Sequence, residues 1–167
     1  KAMTMQPVSD PFARHIITRK RKKYKFANFD TYKNCFSHLR STDGKETLDL
    51  LKDFLGDSPI VLEVAAGNAH FSFELAKKYP ELCFIAIDIK SDRLYTSAKK
   101  ALDEGVTNIA FLRTHVSELC NIFPQNSIET IWLTFPDPFP KKRSAKHRLS
   151  HESFLLQYHR VLREKGS

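Results

Sequence analysis

Four short apolar runs, separated by stretches of helical spacing, constrain this chain more tightly than any other feature. They are PIVLEVA from Pro59, CFIAIDI from Cys83, NIAFLR from Asn108 and SIETIWLTF from Ser127. Short apolar runs rich in β-branched residues are the pattern of strands buried within a sheet. Between the first two, Ala69–Lys78 reads as a helix that packs Phe71 and Leu75 and ends at Tyr79-Pro80. After the second run, Ser91 reads as the cap of a helix carrying Leu94, Ala98, Ala101 and Leu102 inward, closed by Gly105. Val116–Ile122 reads as a brief helix before the fourth run. Strands that alternate with helices imply crossover connections, so the expected fold is α/β with a doubly wound, mostly parallel sheet.

The flanks extend this pattern. Upstream, Asp43 with Glu46 three residues on signals a helix from about Lys45 to Leu55, with Leu48, Leu51 and Leu55 on one face and Gly56 as its stop. Downstream, a polar loop at Pro136–Leu149 precedes a helix capped by Ser150, with Leu155, Tyr158 and Leu162 on one face. The chain stops at Lys165-Gly166-Ser167, where a further strand is expected. Residues 1–40 read as a basic N-terminal arm, and residues 41–167 as one domain lacking its C-terminal strands. Within the arm, Phe26, Phe29, Tyr32 and Phe36 are spaced to pack a short helix or loop onto the body.

Composition excludes several classes. With 41% apolar residues in a chain of 167, disorder is ruled out and one sizeable core is expected. No apolar run approaches the ~18–20 residues of a membrane span, and the basic N-terminus lacks the apolar stretch of a secretory signal. Cys35, Cys83 and Cys120 are odd in number and have neither CxxC nor His/Cys spacing. Neither structural disulfides nor a metal site is expected, and three free thiols suit a cytoplasmic protein.

The net charge of +8 is concentrated. Residues 14–25 carry seven Lys or Arg and no acid, and residues 141–148 carry five more, again with no acid. Without those twelve cations, fifteen basic residues face nineteen acids. Two cationic patches on a mildly acidic body point to a polyanion, and nucleic acid fits better than membrane because neither patch is interleaved with large apolar residues.

Ligands of doubly wound sheets bind beyond the carboxyl ends of the strands. Three carboxylates stand at such ends: Glu63 before the turn VAAGNA, Asp88 closing the second run, and Asp137 between Pro136 and Pro138 after the fourth. Gly67 lets backbone approach a ligand, with Ala65 and Ala69 where a GxGxG turn has glycine. Asp88, 25 residues after Glu63, suits a carboxylate accepting from ribose hydroxyls, or alternatively one capping the next helix. A dinucleotide pyrophosphate would be repelled by Glu63 at this turn. A cationic nucleoside such as S-adenosylmethionine is the better fit, and an NAD-dependent oxidoreductase the weaker one.

The stretch FPDPFPKKRSAKHRL resembles the tRNA (guanine-N7)-methyltransferases, whose pattern there is close to F-P-D-P-W-P-K-K-R-H-x-K-R-R-L followed by a helix. The resemblance covers roughly Ser58–Gly166 and departs from the pattern at Phe139, Ser144 and His147. It implies a Rossmann-like class I methyltransferase that uses S-adenosyl-L-methionine to methylate guanine N7 in the tRNA variable loop. It further implies Asp137 as the catalytic residue, beside the cofactor, and Lys141 as a substrate contact. Lys142, Arg143, Lys146 and Arg148 would then hold phosphates. His115 stands where the family usually has an acidic residue facing the adenosine. A non-catalytic RNA-binding relic of the same fold is the alternative.

Overall fold

The computed structural model describes residues 28–133 together with residues 159, 161 and 162. The basic run at 14–25, the loop carrying Asp137 and its five cations, and the expected helix start at Ser150 lie outside the described residues.

Among the described residues, five strands form one sheet: β1 (Cys35–Ser37), β2 (Ile60–Val64), β3 (Cys83–Asp88), β4 (Ile109–Arg113) and β5 (Ile128–Leu133). The helices are α1 (Gly44–Leu55), α2 (His70–Lys78), α3 (Ser91–Asp103) and α4 (Leu119–Ile122), the last entered through a 3₁₀ turn at Val116–Glu118. The strand order is β1-β4-β3-β2-β5, and every pairing is parallel. β2 and β3 are buried at all positions, which is why their sequences show no polar alternation.

Each face of the sheet carries its own core. Val61, Phe73, Phe84, Leu94, Ala98 and Phe111 close one side beneath α2 and α3. Leu48, Leu51, Leu62, Ile85, Leu112 and Leu119 close the other beneath α1 and α4. The approach of α1 to α4 needs glycine at 44, because a Cβ there would run into the backbone carbonyl of Asn121. Asp43 caps α1 by accepting from the Lys45 N–H at 3.0 Å. Gly56 ends it at φ 87°, its N–H donating to the Lys52 carbonyl at 2.7 Å. The C-terminal end of α2 is tied by the Asn108 side-chain amide, which donates to the carbonyls of Ala76, Tyr79 and Leu82 at 2.9, 3.1 and 3.0 Å.

Three local readings are corrected. First, Cys35–Ser37, inside the stretch read as an arm, is the edge strand of the sheet, paired with Phe111–Arg113. Phe29 beside it is buried, and Tyr32 stacks on Tyr95 of α3 at 5.5 Å with its hydroxyl donating to that of Tyr95 at 3.1 Å. Second, α2 turns Ser72, Phe73 and Ala76 inward and leaves Phe71 exposed, while Leu75 packs against the core as expected. Third, Lys90 rather than Ser91 is the N-cap of α3, and the Lys90 N–H is held by Asp88 Oδ1 at 2.9 Å. Near the end of the chain, Val161 is buried in the α1 side of the core, and Leu162 forms a parallel bridge with Ile128. No helix among the described residues is long and apolar enough to cross a membrane. All three cysteines are free thiols; burial pushes those of Cys35 and Cys83 above the ordinary thiol range, with the Asp30 and Asp57 carboxylates adding to it.

Candidate functional site

Parallel pairing brings all the carboxyl ends to one edge. From β2 the chain winds outward through β3 to β4, then crosses back to lay β5 on the other side of β2. The reversal between β2 and β5 is the switch point at which open sheets of this type leave a crevice.

The turn that leaves β2 has an unusual backbone. Ala65, Gly67 and Ala69 all take the left-handed region, at φ 54°, 59° and 59°. Glycine adopts it freely, whereas each alanine gives up roughly 1–2 kcal/mol. Such strain persists only where the surroundings over-determine it, and here they do. The Ala66 N–H donates to the Ile87 carbonyl at 2.9 Å, and the Ala69 N–H to the Ala66 carbonyl at 2.8 Å. The Gly67 N–H donates to Asp88 Oδ2 at 3.0 Å. Ala66 and Ala69 are buried, so larger side chains have no room there.

Asp88 therefore holds two turns at once. One carboxylate oxygen accepts from Gly67 after β2, and the other from Lys90 before α3. A carboxylate offers about four acceptor positions, so each oxygen keeps one for a ligand hydroxyl. The helix-capping role and the ligand role are compatible on this geometry. Glu63 is fully buried on β2, in register with Ala86 on one side and Trp132 on the other. A carboxylate is costly to bury without compensation, so packing alone does not account for an acidic residue at this position.

His115 is exposed just past β4. Its Nδ1 accepts from the Ser117 N–H at 3.1 Å and lies 2.7 Å from the Ser117 hydroxyl, so the ring caps the 3₁₀ turn. With Nδ1 accepting, the neutral ring carries its proton on Nε2. The neighbouring Thr114 hydroxyl is buried and has no hydrogen-bond partner, while its N–H donates to the Asp88 carbonyl at 3.2 Å.

Glu63, Gly67, Asp88 and His115 thus share one edge of the sheet. Asp137, Lys141, Lys142, Arg143, Lys146 and Arg148 lie outside the described residues. Sequence reasoning missed Ile89, which follows Asp88 and is half exposed at the same edge, an apolar side chain where a core strand has just ended. It also missed that Phe71 and Trp132 stand exposed with ring centroids 5.6 Å apart. Both were read as packing residues because apolar spacing does not tell an inward face from an open one.

A family model described as "Putative methyltransferase" matches residues 57–167. The tRNA (guanine-N(7)-)-methyltransferase of Christiangramia forsetii is 45% identical over 113 residues, which cover 68% of this chain and 50% of that protein. The protein of the same name from Bacteroides thetaiotaomicron is 36% identical over 152 residues, covering 88% of this chain and 60% of that one. The chain spans about half of the first of these relatives and somewhat more of the second. Among solved structures, the antibiotic-resistance methyltransferase Kmr superposes with a TM-score of 0.55 at 21% identity, covering 72% of this chain and 62% of that one. Haemonchus contortus phosphoethanolamine N-methyltransferase 2, solved in complex with S-adenosyl-L-methionine, superposes at 0.51 and 16% identity, over 71% of this chain and 26% of that one. These structural likenesses show a shared fold.

Proposed function

The chain belongs to the methyltransferase family whose model spans its residues 57–167, and from that premise we propose that it methylates N7 of a guanine in the tRNA variable loop, in the cytoplasm. The observation that carries this reading is the Asp88 carboxylate, which fixes the Gly67 turn and still has acceptor capacity left on each oxygen. The names of the curated relatives support the substrate, and the two cationic runs suit its phosphates.

The residues present fit S-adenosyl-L-methionine, which when bound supplies a methyl group on a cationic sulfur. Asp88 would accept from the ribose hydroxyls. Ile89 offers an apolar side chain to the adjoining base. Glu63 brings negative charge to the cationic amino-acid end, and Gly67 lets backbone come close to it. His115, with Nδ1 engaged by Ser117, would stand at the adenosine end.

Guanine N7 carries a free lone pair, so attack on the methyl group needs no general base. Alignment and electrostatics remain as the protein's contributions. Asp137, between two prolines that restrict its backbone, would stabilise the positive charge that moves onto the purine. Lys141 would contact the substrate, and Lys142, Arg143, Lys146 and Arg148 would hold phosphates, which sets register without reading bases.

The test is single-turnover methyl transfer to bulk tRNA, with the product nucleoside identified by mass spectrometry. Asp137→Asn is expected to lower the rate ~10²-fold, the scale of one preorganised electrostatic group, with tRNA affinity unchanged. Methylation at another atom, or tRNA binding with no transfer at all, overturns the reading.

A further inference from the structure

Phe71 and Trp132 are the two most exposed aromatic side chains among the described residues, at 44% and 47%, and they touch each other. Phe71 stands in the first turn of α2, and Trp132 near the end of β5, in register with Glu63. They flank the two sides of the switch point. Their planes meet at 76°, one ring edge-on to the other, so each is propped in place while ring surface stays open to solvent. Two adjoining aromatic rings left open to solvent keep apolar surface in water, a cost that the fold itself does not need.

Resting on the reading above, we propose that this pair is a stacking platform for an unpaired base of the RNA substrate. Every nucleobase has a π face, and proteins that hold single-stranded segments use aromatic rings for that purpose. The cationic run at 141–148 begins eight residues past Leu133, the end of β5. Eight residues of chain reach at most ~29 Å, so phosphates held by that run bring their bases within a few nucleotides of Trp132. Charge fixes the backbone, and the indole meets what the backbone presents. Phe71 acts as a positioning residue, holding the indole upright.

Trp132 is the chain's only tryptophan, so its fluorescence reports directly on this surface. The full chain is titrated with an unstructured guanine-containing oligoribonucleotide and with an abasic strand of equal length. The base-bearing strand is expected to quench the emission and the abasic strand to leave it unchanged. Trp132→Leu is expected to weaken the base-bearing strand about tenfold and the abasic strand not at all. Trp132→Phe should restore most of that loss, with S-adenosylmethionine affinity by calorimetry unchanged in both variants as the check on folding. Equal quenching by both strands overturns the proposal. So does an indole that acrylamide cannot reach in the free protein, which would mean that other parts of the chain cover it. If tRNA is bound and methylated while Trp132 stays silent, the platform alone is wrong. If neither S-adenosylmethionine nor tRNA binds, the functional reading falls with it.

Discussion

Ala65 and Ala69 share a backbone conformation but not an environment, and the difference decides what glycine would do at each. At both positions glycine removes roughly 1–2 kcal/mol of left-handed strain and adds about 0.5–1 kcal/mol of unfolded-state entropy. Ala65 is partly exposed, so Ala65→Gly is expected to stabilise the fold by about 0.5–1 kcal/mol. Ala69 is fully buried against Phe73 and its neighbours, and losing its methyl group costs a further ~0.8 kcal/mol. Ala69→Gly is therefore expected to be close to neutral. Urea midpoints at constant m-value separate the two outcomes. At Asp88 the relevant quantity is ligand affinity. Asp88→Asn keeps one acceptor oxygen but loses the charge and half the lone pairs, so calorimetry should show S-adenosylmethionine binding weakened by about 1–3 kcal/mol. Unchanged affinity would leave Asp88 with only its two backbone partners, Gly67 and Lys90.

Gly44 sits where α1 meets α4, and its missing side chain matters more than its flexibility. Gly44→Ala would gain about 1 kcal/mol of helix propensity, yet its Cβ collides with a backbone carbonyl that has no rotamer to move into. Net destabilisation of about 1–3 kcal/mol is expected from thermal or urea unfolding. The same helices meet in a polar cluster. Glu118 accepts from the Asn121 amide at 2.8 Å, faces His38 Nε2 at 3.4 Å, and lies 4.0 Å from Arg40, while His38 Nδ1 meets the Thr47 hydroxyl at 2.7 Å. The Asn121 bond chiefly, then His38 and Arg40, hold the Glu118 carboxyl below the usual carboxylate range. A depressed folded-state pKa stabilises above the unfolded value and is lost as pH falls through the folded one. Stability should thus drop below about pH 4.5, and Glu118→Gln should flatten that part of the profile. The elements differ in how readable they were. β2 through β4 were legible because double-sided burial leaves an unbroken apolar run, and α1 because Asp43 and Gly56 punctuate it. β1 was not, since three residues of mixed polarity become a strand only through their pairing with β4. On α2 only one of the two expected inward residues is found inside, Leu75 but not Phe71, because apolar spacing does not tell an inward face from an open one. At the candidate site, the placement of Glu63, Gly67 and Asp88 at one edge is legible from residue type and spacing, whereas Ile89 and Trp132 depend on exposure, which no local pattern encodes.

The whole molecule joins a sheet that organises one edge to two cationic runs in the sequence, at 14–25 and 141–148. Neutralising Lys141, Lys142 and Arg143 together should lower the log–log salt slope of tRNA binding by about 2–3, since each phosphate contact contributes roughly 0.7–0.9. Cofactor affinity should stay constant. Replacing the cations at 19–23 should act in the same direction. The pairing of β1 with β4 has its own consequence during synthesis. Cys35 leaves the ribosome long before its partner Phe111, which lies 76 positions further on. At ordinary elongation rates of about 5–20 residues per second, that gap lasts roughly 4–15 s. Throughout it β1 lacks its partner strand, and it is the arrival of β4, which also pairs with β3, that gives it one. The nascent chain thus completes β2, β3 and β4 before β1 has a place in the sheet, and the switch point waits longer still, for β5.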